Sequence, residues 1–395
     1  MAVQTSTATV RGEPADAPER HEAVVIGAGP AGLAAAAMLQ AADIETLVLE
    51  RGPDVAASWR HHYDRLHLHT IRWLSALPGL PIPRSEGPWV SRDGVIRYLE
   101  GYRRHHRIRV RCNTEVTGIE RADHGWSVDT NGGAILAGAV VVATGFNRDP
   151  FLPPWPGRES FEGELIHSSS YRNAEPCRGK DVLVVGTGNS GAEIAVDLVE
   201  GGARTVRIAV RTPPNIMRRD VAGFPSQALG LATRRLPPAV IDRMSLVMQR
   251  LTVGDLTRHG LPPPPRGVHT RAAEGVIPIL DVGLIGMLKD GRVQVVAAVD
   301  RFEARDVVLA DGSRLQPDAV IAATGFRRGL EPLVGRFGIL KPNGQPVVHG
   351  GRTDPRAPDL YFIGYTNPLS GNLREVGIDG RRIARAVAGR RRRRP

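Results

Sequence analysis

The sequence predicts an α/β fold with two similar halves, because two patterns each occur twice along the chain. The pattern G-x-G-x-x-G spans 27–32 and again 186–191, each time after an apolar strand and before a helix. An apolar strand that ends in A-T-G-F spans 139–146 and again 319–326. With 45 glycines in 395 residues one glycine pattern is weak, but two copies in strand–turn–helix contexts are hard to attribute to composition. We therefore predict two dinucleotide-binding, Rossmann-like domains.

The first half opens with a β-α-β unit over 22–50. Gly27 permits the tight bend, Gly29 lets the backbone approach a pyrophosphate, and Gly32 lets the helix and the strand pack closely. The phosphates are expected on the helix N-terminus, whose free N–H groups favour anions. Glu50 ends the second strand, where a carboxylate can accept hydrogen bonds from ribose hydroxyls and disfavours a phosphorylated ribose. FAD is therefore the expected ligand of this half.

The second half repeats this arrangement around 186–191 but ends its second strand differently. Arg211 and Thr212 stand where the first half has Glu50. A cation and a hydroxyl at that position suit the 2′-phosphate of NADPH and give NADH less to bind. The sequence therefore predicts one FAD site and one NADPH site.

These patterns also predict the domain plan. We expect a discontinuous FAD-binding domain, an NADPH-binding domain inserted into it, and a helical insertion in the latter where the repeat is interrupted. The expected boundaries are a disordered tail at 1–21, the FAD-binding domain at 22–155 and 326–388, the NADPH-binding domain at 156–325 with its insertion at 213–275, and a basic tail at 389–395. The strand LYFIG at 360–364 should rejoin the first domain, and a helix is expected around 379–388.

Composition excludes several other classes of protein. No apolar run approaches the roughly 20 residues that span a bilayer, and the first twenty residues lack the apolar core of a secretory signal, so a cytoplasmic protein is expected. Cys112 and Cys177 can form neither a disulfide framework nor a C-x-x-C motif. Five of the eleven net positive charges belong to the run at 390–394, which is expected to be a solvated end. Anionic lipid or nucleic acid is the alternative ligand of that run, but no stacking motif supports nucleic acid.

A long irregular stretch, 51–83, is expected to be functional because it is rich in aromatic, histidine and proline residues. Its four histidines, His61, His62, His67 and His69, lack a closed ligand set with cysteine or acidic partners. We therefore predict no metal site.

A further motif gives the sequence a family resemblance. Residues 161–171, FEGELIHSSSY, fit F-x-G-x-x-x-H-x-x-x-(Y/F), the identifying pattern of the class B flavoprotein monooxygenases in the form found in flavin-containing monooxygenases. Within that class the chain most resembles the indole-3-pyruvate monooxygenases of the YUCCA type, through YDRLHLHT, VLVVGTGNSGAE, VIPILDVG and both ATGF segments. The resemblance covers about residues 22 to 388.

The resemblance implies a flavin-dependent reaction and a set of site residues. NADPH would reduce FAD, oxygen would add as a C4a-hydroperoxide, and one oxygen atom would pass to a small organic substrate. In such chemistry the protein supplies orientation and excludes water. The cofactor-binding residues expected from the motifs and the resemblance together are Gly27, Gly29, Pro30, Ala31, Gly32, Glu50, Arg51, Trp59, Thr144, Gly145, Gly186, Gly188, Asn189, Ser190, Gly191, Arg211, Thr212, Gly325 and Gly364.

Two residues are candidates for direct roles in the chemistry. By the resemblance, Asn189 would lie near the nicotinamide, although capping the following helix is an equal alternative. His69 would hydrogen-bond the flavin peroxide or the substrate. No Gly-Asp pair stands in LYFIGYTNPLSGN, so the way in which the flavin chain is held at that end stays open.

The substrate and the partners are left open by the sequence. An α-keto acid such as indole-3-pyruvate, or an amine or sulfide, are the candidate substrates, and Arg60, Arg65 and Arg72 are candidate partners of a substrate carboxylate. An NADPH-driven reductase or oxidase and a non-catalytic flavin-binding protein are the alternative functions. The expected partners are the small substrate and O2, with no nucleic acid and no membrane span, and the choice between a monomer and a homodimer is open.

Overall fold

The computed structural model describes residues 18–221, 223–233 and 236–392. Most of the predicted tail at 1–21 and residues 393–395 of the basic tail therefore lie outside the described residues. Among the helices that are described, none combines the length and the apolar character needed to cross a bilayer.

The chain folds into an N-terminal sheet, a second sheet and a C-terminal return to the first. The N-terminal elements are β1 (Arg20–Ile26), α1 (Pro30–Gln40), β2 (Thr46–Leu49), α2 (Ala57–Arg60), α3 (Arg72–Ser75), α4 (Arg92–His105), β3 (Val110–Arg111), β4 (Val116–Ala122), β5 (Gly125–Thr130) and β6 (Gly133–Val142). The middle elements are β7 (Asp149–Pro150), β8 (Glu164–His167), β9 (Asp181–Val185), α5 (Asn189–Glu200), β10 (Thr205–Val210), β11 (Ile216–Arg218), β12 (Asp220–Val221), β13 (Phe224–Pro225), α6 (Ser226–Thr233), α7 (Pro238–Thr252), α8 (Val268–Ala273), β14 (Ile279–Asp281), α9 (Leu284–Lys289), β15 (Val293–Ala297), β16 (Val299–Phe302), β17 (Val307–Leu309), β18 (Arg314–Leu315) and β19 (Ala319–Ala322). The last elements are β20 (Phe326–Arg327), α10 (Glu331–Val334), β21 (Leu360–Phe362) and α11 (Asn372–Arg391).

The two main sheets carry the two glycine turns. The first has seven strands in the order β3-β2-β1-β6-β5-β4, with β21 paired to β6, and the second has the order β15-β10-β9-β19-β8. β1 and β9, which lead into the turns, lie inside their sheets and are mostly buried, as their apolar runs AVVI and VLVV predict. β21 adds to β6 in parallel, so the segment LYFIG lies in the first sheet.

The segment between β10 and β14 differs from a purely helical insertion. Helices α6, α7 and α8 are present, but β12 and β13 form a hairpin, and β11 pairs with β14. The segment IPILDVG therefore closes the insertion instead of continuing the second sheet, because its strand β14 finds its partner in β11.

The C-terminal helix is longer than the expected helix at 379–388, since α11 runs from Asn372 to Arg391. Arg390 contacts the carboxylate of Asp359 at 2.9 Å, and Arg391 contacts that of Glu22 at 3.2 Å. Both arginines are exposed, as expected of a solvated end, but they belong to the last turn of a helix and pair with acids. Cations in the last turn of a helix are favoured by the helix dipole, and here each also meets an acid of the first domain.

The two segments that connect the sheets lie side by side. β7 and β20 pair antiparallel, with Phe326 opposite Pro150 and Arg327 opposite Asp149. β7 comes shortly after the first A-T-G-F segment, and β20 begins at the last residue of the second. We call these two connections between the sheets the first crossing and the second crossing.

Candidate active site

The two glycine turns have the same backbone shape. Gly27 and Gly186 have φ of 106° and 113°, values that favour glycine. A Cβ placed on Gly32 would lie 1.8 Å from the carbonyl oxygen of Gly27, and one on Gly191 would lie 2.1 Å from that of Gly186. Only glycine therefore allows each helix to pack so closely on its own turn.

Each turn also packs on the strand that ends in A-T-G-F. A Cβ on Gly27 would lie 2.6 Å from the oxygen of Ala143, and one on Gly186 would lie 2.5 Å from that of Ala323. The motif and the turn are thus parts of one structural unit that occurs twice.

Open space faces the middle glycine of each turn, which fits a pyrophosphate. Gly29 and Gly188 are the N-caps of α1 and α5, and neither helix has a side-chain cap. A Cβ at either position would meet nothing within 4 Å. Two free helix N-termini beside open space suit two phosphate-containing ligands.

A cavity of about 630 Å³ adjoins the first turn and continues to helices α6 and α7. Twelve predicted residues line it: Gly27, Gly29, Pro30, Ala31, Glu50, Arg51, Trp59, His69, Thr144, Gly145, Asn189 and Gly364. The other predicted residues do not line it: Gly32, Gly186, Gly188, Ser190, Gly191, Arg211, Thr212 and Gly325. Gly32 lies behind the first turn, and the rest belong to the second turn, its flank and the second crossing.

Glu50 is buried and already serves the first turn. Its Oε2 accepts a hydrogen bond from the N–H of Ala28, and its Oε1 accepts one from the N–H of Gly52, both at 2.8 Å. Each carboxylate oxygen can accept another bond, so capacity for a ribose hydroxyl remains. By contrast Arg211, at the end of β10, is exposed.

The side chain of Asn189 does not cap helix α5. Its Oδ1 accepts from the N–H of Leu280 at 2.8 Å, and its Nδ2 donates to the oxygen of Pro278 at 3.2 Å. Asn189 therefore ties the segment IPILDVG to the start of the second turn's helix.

Residues 63–69 lie along one face of α5. The Tyr63 hydroxyl is hydrogen-bonded to Ser190 and Glu193, and burial raises its pKa well above the usual value. Arg65 contacts Glu200 at 2.7 Å, and His69 Nε2 lies 2.7 Å from Glu193 Oε1. The motif YDRLHLHT thus fastens the loop of the first domain to the helix of the second.

Trp59 and His62 extend this layer toward the cavity. Their rings meet edge to face with centroids 5.6 Å apart, and both residues line the cavity. Burial lowers the pKa of His62, so its neutral form is favoured.

Three of the four fixed residues of the motif at 161–171, Phe161, His167 and Tyr171, have side-chain partners. Phe161 packs on Phe302, and the Tyr171 hydroxyl donates to Asp197 of α5 at 2.6 Å. His167 Nδ1 accepts from the N–H of Ser169, so Nε2 carries the proton and donates to the oxygen of Gly325 at 3.0 Å. The motif therefore holds α5 and the second crossing in place.

The first crossing is held by the C-terminal segment. The Tyr365 hydroxyl accepts from the N–H of Thr144 at 3.1 Å and lies 2.8 Å from its Oγ1. A few residues further along the chain, Gly371 and Asn372 at the start of α11 line the cavity. The Oδ1 atom of Asn372 is buried and has no hydrogen-bond partner among the described residues.

The three arginines proposed for a substrate carboxylate are engaged elsewhere and do not line the cavity. Arg60 contacts Asp54 and Glu100, Arg65 contacts Glu200, and Arg72 donates to the oxygen of Ile82. Of the described arginines, Arg51 and Arg148 line the cavity instead. The side chain of Arg148 is 17% exposed, and its contact with Asp149 is 3.9 Å long, which leaves its donors available.

Sequence reasoning missed Glu193, Arg148 and Tyr365. Glu193 carried a signal, because it is an acid within the apolar run of α5, GAEIAVDLV, and is fully enclosed. Among the described residues, no group of three or more His, Cys, Asp or Glu side chains is arranged to hold a metal ion.

Comparison with known proteins defines the class. Residues 24–222 match the pyridine nucleotide-disulphide oxidoreductase family. A flavin-containing monooxygenase from Stenotrophomonas maltophilia superposes with a TM-score of 0.72 at 26% identity, covering 94% of this chain and 99% of that one. A cyclohexanone monooxygenase shares the fold, with a TM-score of 0.72 at 20% identity, covering 95% of this chain and 88% of that one.

Closer relatives in sequence define the family. Indole-3-pyruvate monooxygenase YUCCA1 of Oryza sativa subsp. japonica is 38% identical over 371 residues, 89% of each chain. Probable indole-3-pyruvate monooxygenase YUCCA7 of Arabidopsis thaliana is 34% identical over 385 residues, 92% of this chain and 87% of that one. The chain therefore belongs to the flavin-dependent monooxygenases of the YUCCA type, and it is an FAD- and NADPH-dependent enzyme.

Proposed function

We propose that this monooxygenase oxidatively decarboxylates an α-keto acid of the indole-3-pyruvate kind. The observation that carries the proposal is a single cavity that joins the first glycine turn to an apolar compartment, in a relative of enzymes named for indole-3-pyruvate. The compartment is lined by Met217, Leu229, Ile241, Met244, Met248 and Leu280. Such a lining suits an apolar ring.

FAD is proposed to lie along the cavity with its pyrophosphate at the first turn. Gly29, Pro30 and Ala31 would offer the N-terminus of α1, and Glu50 would accept from the ribose. Trp59, His69 and the start of α11 line the cavity further along and would adjoin the flavin ring. The Asn372 oxygen, which has no partner among the described residues, offers one acceptor there, in place of the aspartate of the missing Gly-Asp pair.

NADPH is proposed to lie at the second turn. Gly188 and Ser190 would contact its pyrophosphate, while Arg211 and Thr212 would contact the 2′-phosphate. Asn189 lines the cavity and is the first residue of α5, so it would lie where the two cofactors meet. We propose the same domain boundaries as the sequence predicted, with FAD bound by the residues of 22–155 and 326–388 and NADPH bound by those of 156–325.

When bound, the flavin supplies the chemistry that activates oxygen with electrons from NADPH. In balance, the keto acid, O2, NADPH and a proton give the shortened carboxylate, CO2, NADP⁺ and water. The protein's residues orient the substrate and exclude water. Arg148 is the candidate partner of the substrate carboxylate, and the methionines of α7 and Met217 cover the apolar end.

One incubation tests the proposal. The FAD-loaded enzyme is mixed with indole-3-pyruvate, NADPH and O2, and indole-3-acetate, CO2 and hydrogen peroxide are quantified. Formation of the acetate with stoichiometric CO2 supports the proposal. Peroxide alone, with oxygenation of an amine or sulfide in parallel incubations, would replace it by N- or S-oxygenation.

A further inference from the structure

An acid–imidazole contact joins the two halves beside the cavity. Glu193 lies on α5, and His69 lies in the loop between α2 and α3. Glu193 Oε1 and His69 Nε2 are 2.7 Å apart, with side chains 4% and 20% exposed. The contact is short, but its geometry is not that of a hydrogen bond, because Glu193 Oε1 is buried without a hydrogen-bond partner among the described residues. No sequence motif links the two residues, which are far apart in the chain.

The groups around Glu193 favour its role as an acceptor. Tyr63 is hydrogen-bonded to it and keeps its proton, since burial raises the tyrosine pKa well above the usual value. His62 and Arg219 also lie within reach of its charge, and burial lowers the pKa of each. A carboxylate is a stronger acceptor than a phenol oxygen or a neutral imidazole nitrogen, so Glu193 is the favoured acceptor for the His69 N–H.

The contact leaves one ring nitrogen of His69 available. His69 lines the cavity, and its Nδ1 is buried without a hydrogen-bond partner among the described residues. A buried nitrogen without a partner is costly unless a ligand supplies one. Because Glu193 engages Nε2, Nδ1 is the atom that remains for a ligand.

We propose that Glu193 is a positioning residue for His69. It holds Nε2–H, so that Nδ1 is presented to the ligand in the cavity, and it ties the orientation of the ring to the helix that begins at the second glycine turn. The proposal rests on the proposed function only in taking the ligand to be the flavin or the substrate beside it. It extends that function by linking the two cofactor sites through one side-chain pair.

The same helix face supplies a matched control. Glu200 lies on α5 and contacts Arg65 at 2.7 Å, and its side chain is 52% exposed. Arg65 does not line the cavity. Glu200→Gln therefore removes a charge and an interdomain contact without touching His69.

The first experiment measures the ring directly. The FAD-loaded enzyme, without substrate, is labelled with ¹⁵N-histidine, and the His69 signals are identified as those missing in His69→Ala. We expect Nε2 to carry a proton in the native protein and in Glu200→Gln, and its signal to shift in Glu193→Ala. A native Nε2 without a proton, or His69 signals unchanged in Glu193→Ala, would overturn the proposal. This readout is independent of the substrate, so it stands apart from any failure of keto-acid turnover.

The second experiment is a double-mutant cycle on coupling, measured as product formed per NADPH consumed. Glu193→Ala should lower coupling on the order of tenfold, as for other histidines that lose the partner that orients them. Glu193→Gln keeps an acceptor oxygen and should restore most of it. In the His69→Ala background the Glu193 substitution should have no further effect. Additive losses would assign Glu193 a purely structural role and refute the proposal.

Should Glu193→Ala fail to fold, Glu193→Gln and Glu193→Asp supply the same comparison. Aspartate is shorter, so it should keep the charge but lose the contact with Nε2. Low coupling in Glu193→Asp beside high coupling in Glu193→Gln supports the proposal, and the reverse order contradicts it.

Discussion

The two glycine turns share one backbone and differ in what surrounds them. The first opens into the large cavity and is braced by the buried carboxylate of Glu50, which accepts two backbone N–H groups. Of the second turn, Asn189 lines that cavity but its three glycines do not, and Arg211, which stands where the first half has Glu50, is exposed. An enclosed turn suits a cofactor that stays bound, whereas an open one suits a cosubstrate that must leave after each cycle.

The largest effect is expected from alanine at the last glycine of each turn. At Gly32 a Cβ would lie 1.8 Å from the oxygen of Gly27, so Gly32→Ala should displace α1, and overpacking of this kind costs roughly 1–3 kcal/mol or more. The purified variant should be colourless and melt at a lower temperature. Gly191→Ala should instead keep its flavin and lose reduction by NADPH, as stopped-flow absorbance would show. Loss of flavin from both variants would contradict this division of roles.

Alanine at the middle glycines separates ligand binding from folding. A Cβ at Gly29 or Gly188 meets no protein atom within 4 Å, so both variants, compared as cofactor-free proteins, should melt like the native apoprotein. Gly29→Ala should weaken FAD and Gly188→Ala should weaken NADPH, as titrations would measure. A lowered melting temperature in either variant would argue against an open cradle.

The next effect concerns Glu50. Glutamine at this position keeps one acceptor oxygen and turns an NH2 group toward a backbone N–H, which costs about 1–3 kcal/mol for a buried group left unsatisfied. Glu50→Gln should therefore lower the free energy of unfolding, measured in urea, as well as the flavin content. Unchanged stability would mean that the carboxylate serves the ligand alone.

Arg211→Gln is expected to have the converse effect. Among the described residues no hydrogen bond or ion pair involves the exposed Arg211 side chain, so the free energy of unfolding should stay within about 0.5 kcal/mol of native. The preference for NADPH over NADH, measured as a ratio of kcat/KM values, should fall by roughly tenfold or more, because a charge-assisted contact to the 2′-phosphate is lost. An unchanged ratio would mean that Arg211 does not bind the 2′-phosphate of NADPH.

The smallest effect distinguishes the two crossings by pH. Tyr365 at the first crossing has a pKa raised to about 12 by burial, so it keeps its proton at neutral and acidic pH. Burial lowers the pKa of His167 at the second crossing below the usual value of about 6.5 for a histidine. As the pH falls below about 6.5, the unfolded state binds a proton that folded His167 resists, so stability is lost on acidification.

A substitution isolates this contribution of His167. Glutamine can still donate to the oxygen of Gly325, so His167→Gln should fold, and its melting temperature should fall less between pH 7 and pH 5 than that of the native protein. The buried His62 should retain part of the slope, since its pKa is also lowered. An identical slope in His167→Gln would exclude His167 as a source of the pH dependence.

Features set by local rules were predictable from the sequence. Each glycine turn is recognisable from a strand, three glycines and a helix, and the parallel pairing of β1 with β2 and of β9 with β10 follows from that unit. The first domain's return through LYFIG was also predictable, because the segment is a short apolar strand, and β21 pairs with β6.

Features set by distant contacts were not predictable. The partner of His69 lies on α5, and no spacing rule connects the two residues. The sequence left two roles for Asn189, a contact with the nicotinamide or a cap of the following helix. Its hydrogen-bond partners in the structure, Pro278 and Leu280, depend on where the end of the insertion packs. The arginines of the 51–83 loop find acids and carbonyls that only the folded chain brings near.

The paired strands β7 and β20 have a mechanical consequence. One unpaired connection would place little restraint on rotation of one half relative to the other. Two connections that are hydrogen-bonded to each other through β7 and β20 restrain that rotation. His167 of the second sheet's strand β8 holds the second crossing at Gly325, and Tyr365, which follows strand β21 of the first sheet, holds the first crossing at Thr144. Two connections that pair with each other therefore restrain the placement of one half relative to the other more strongly than one connection would.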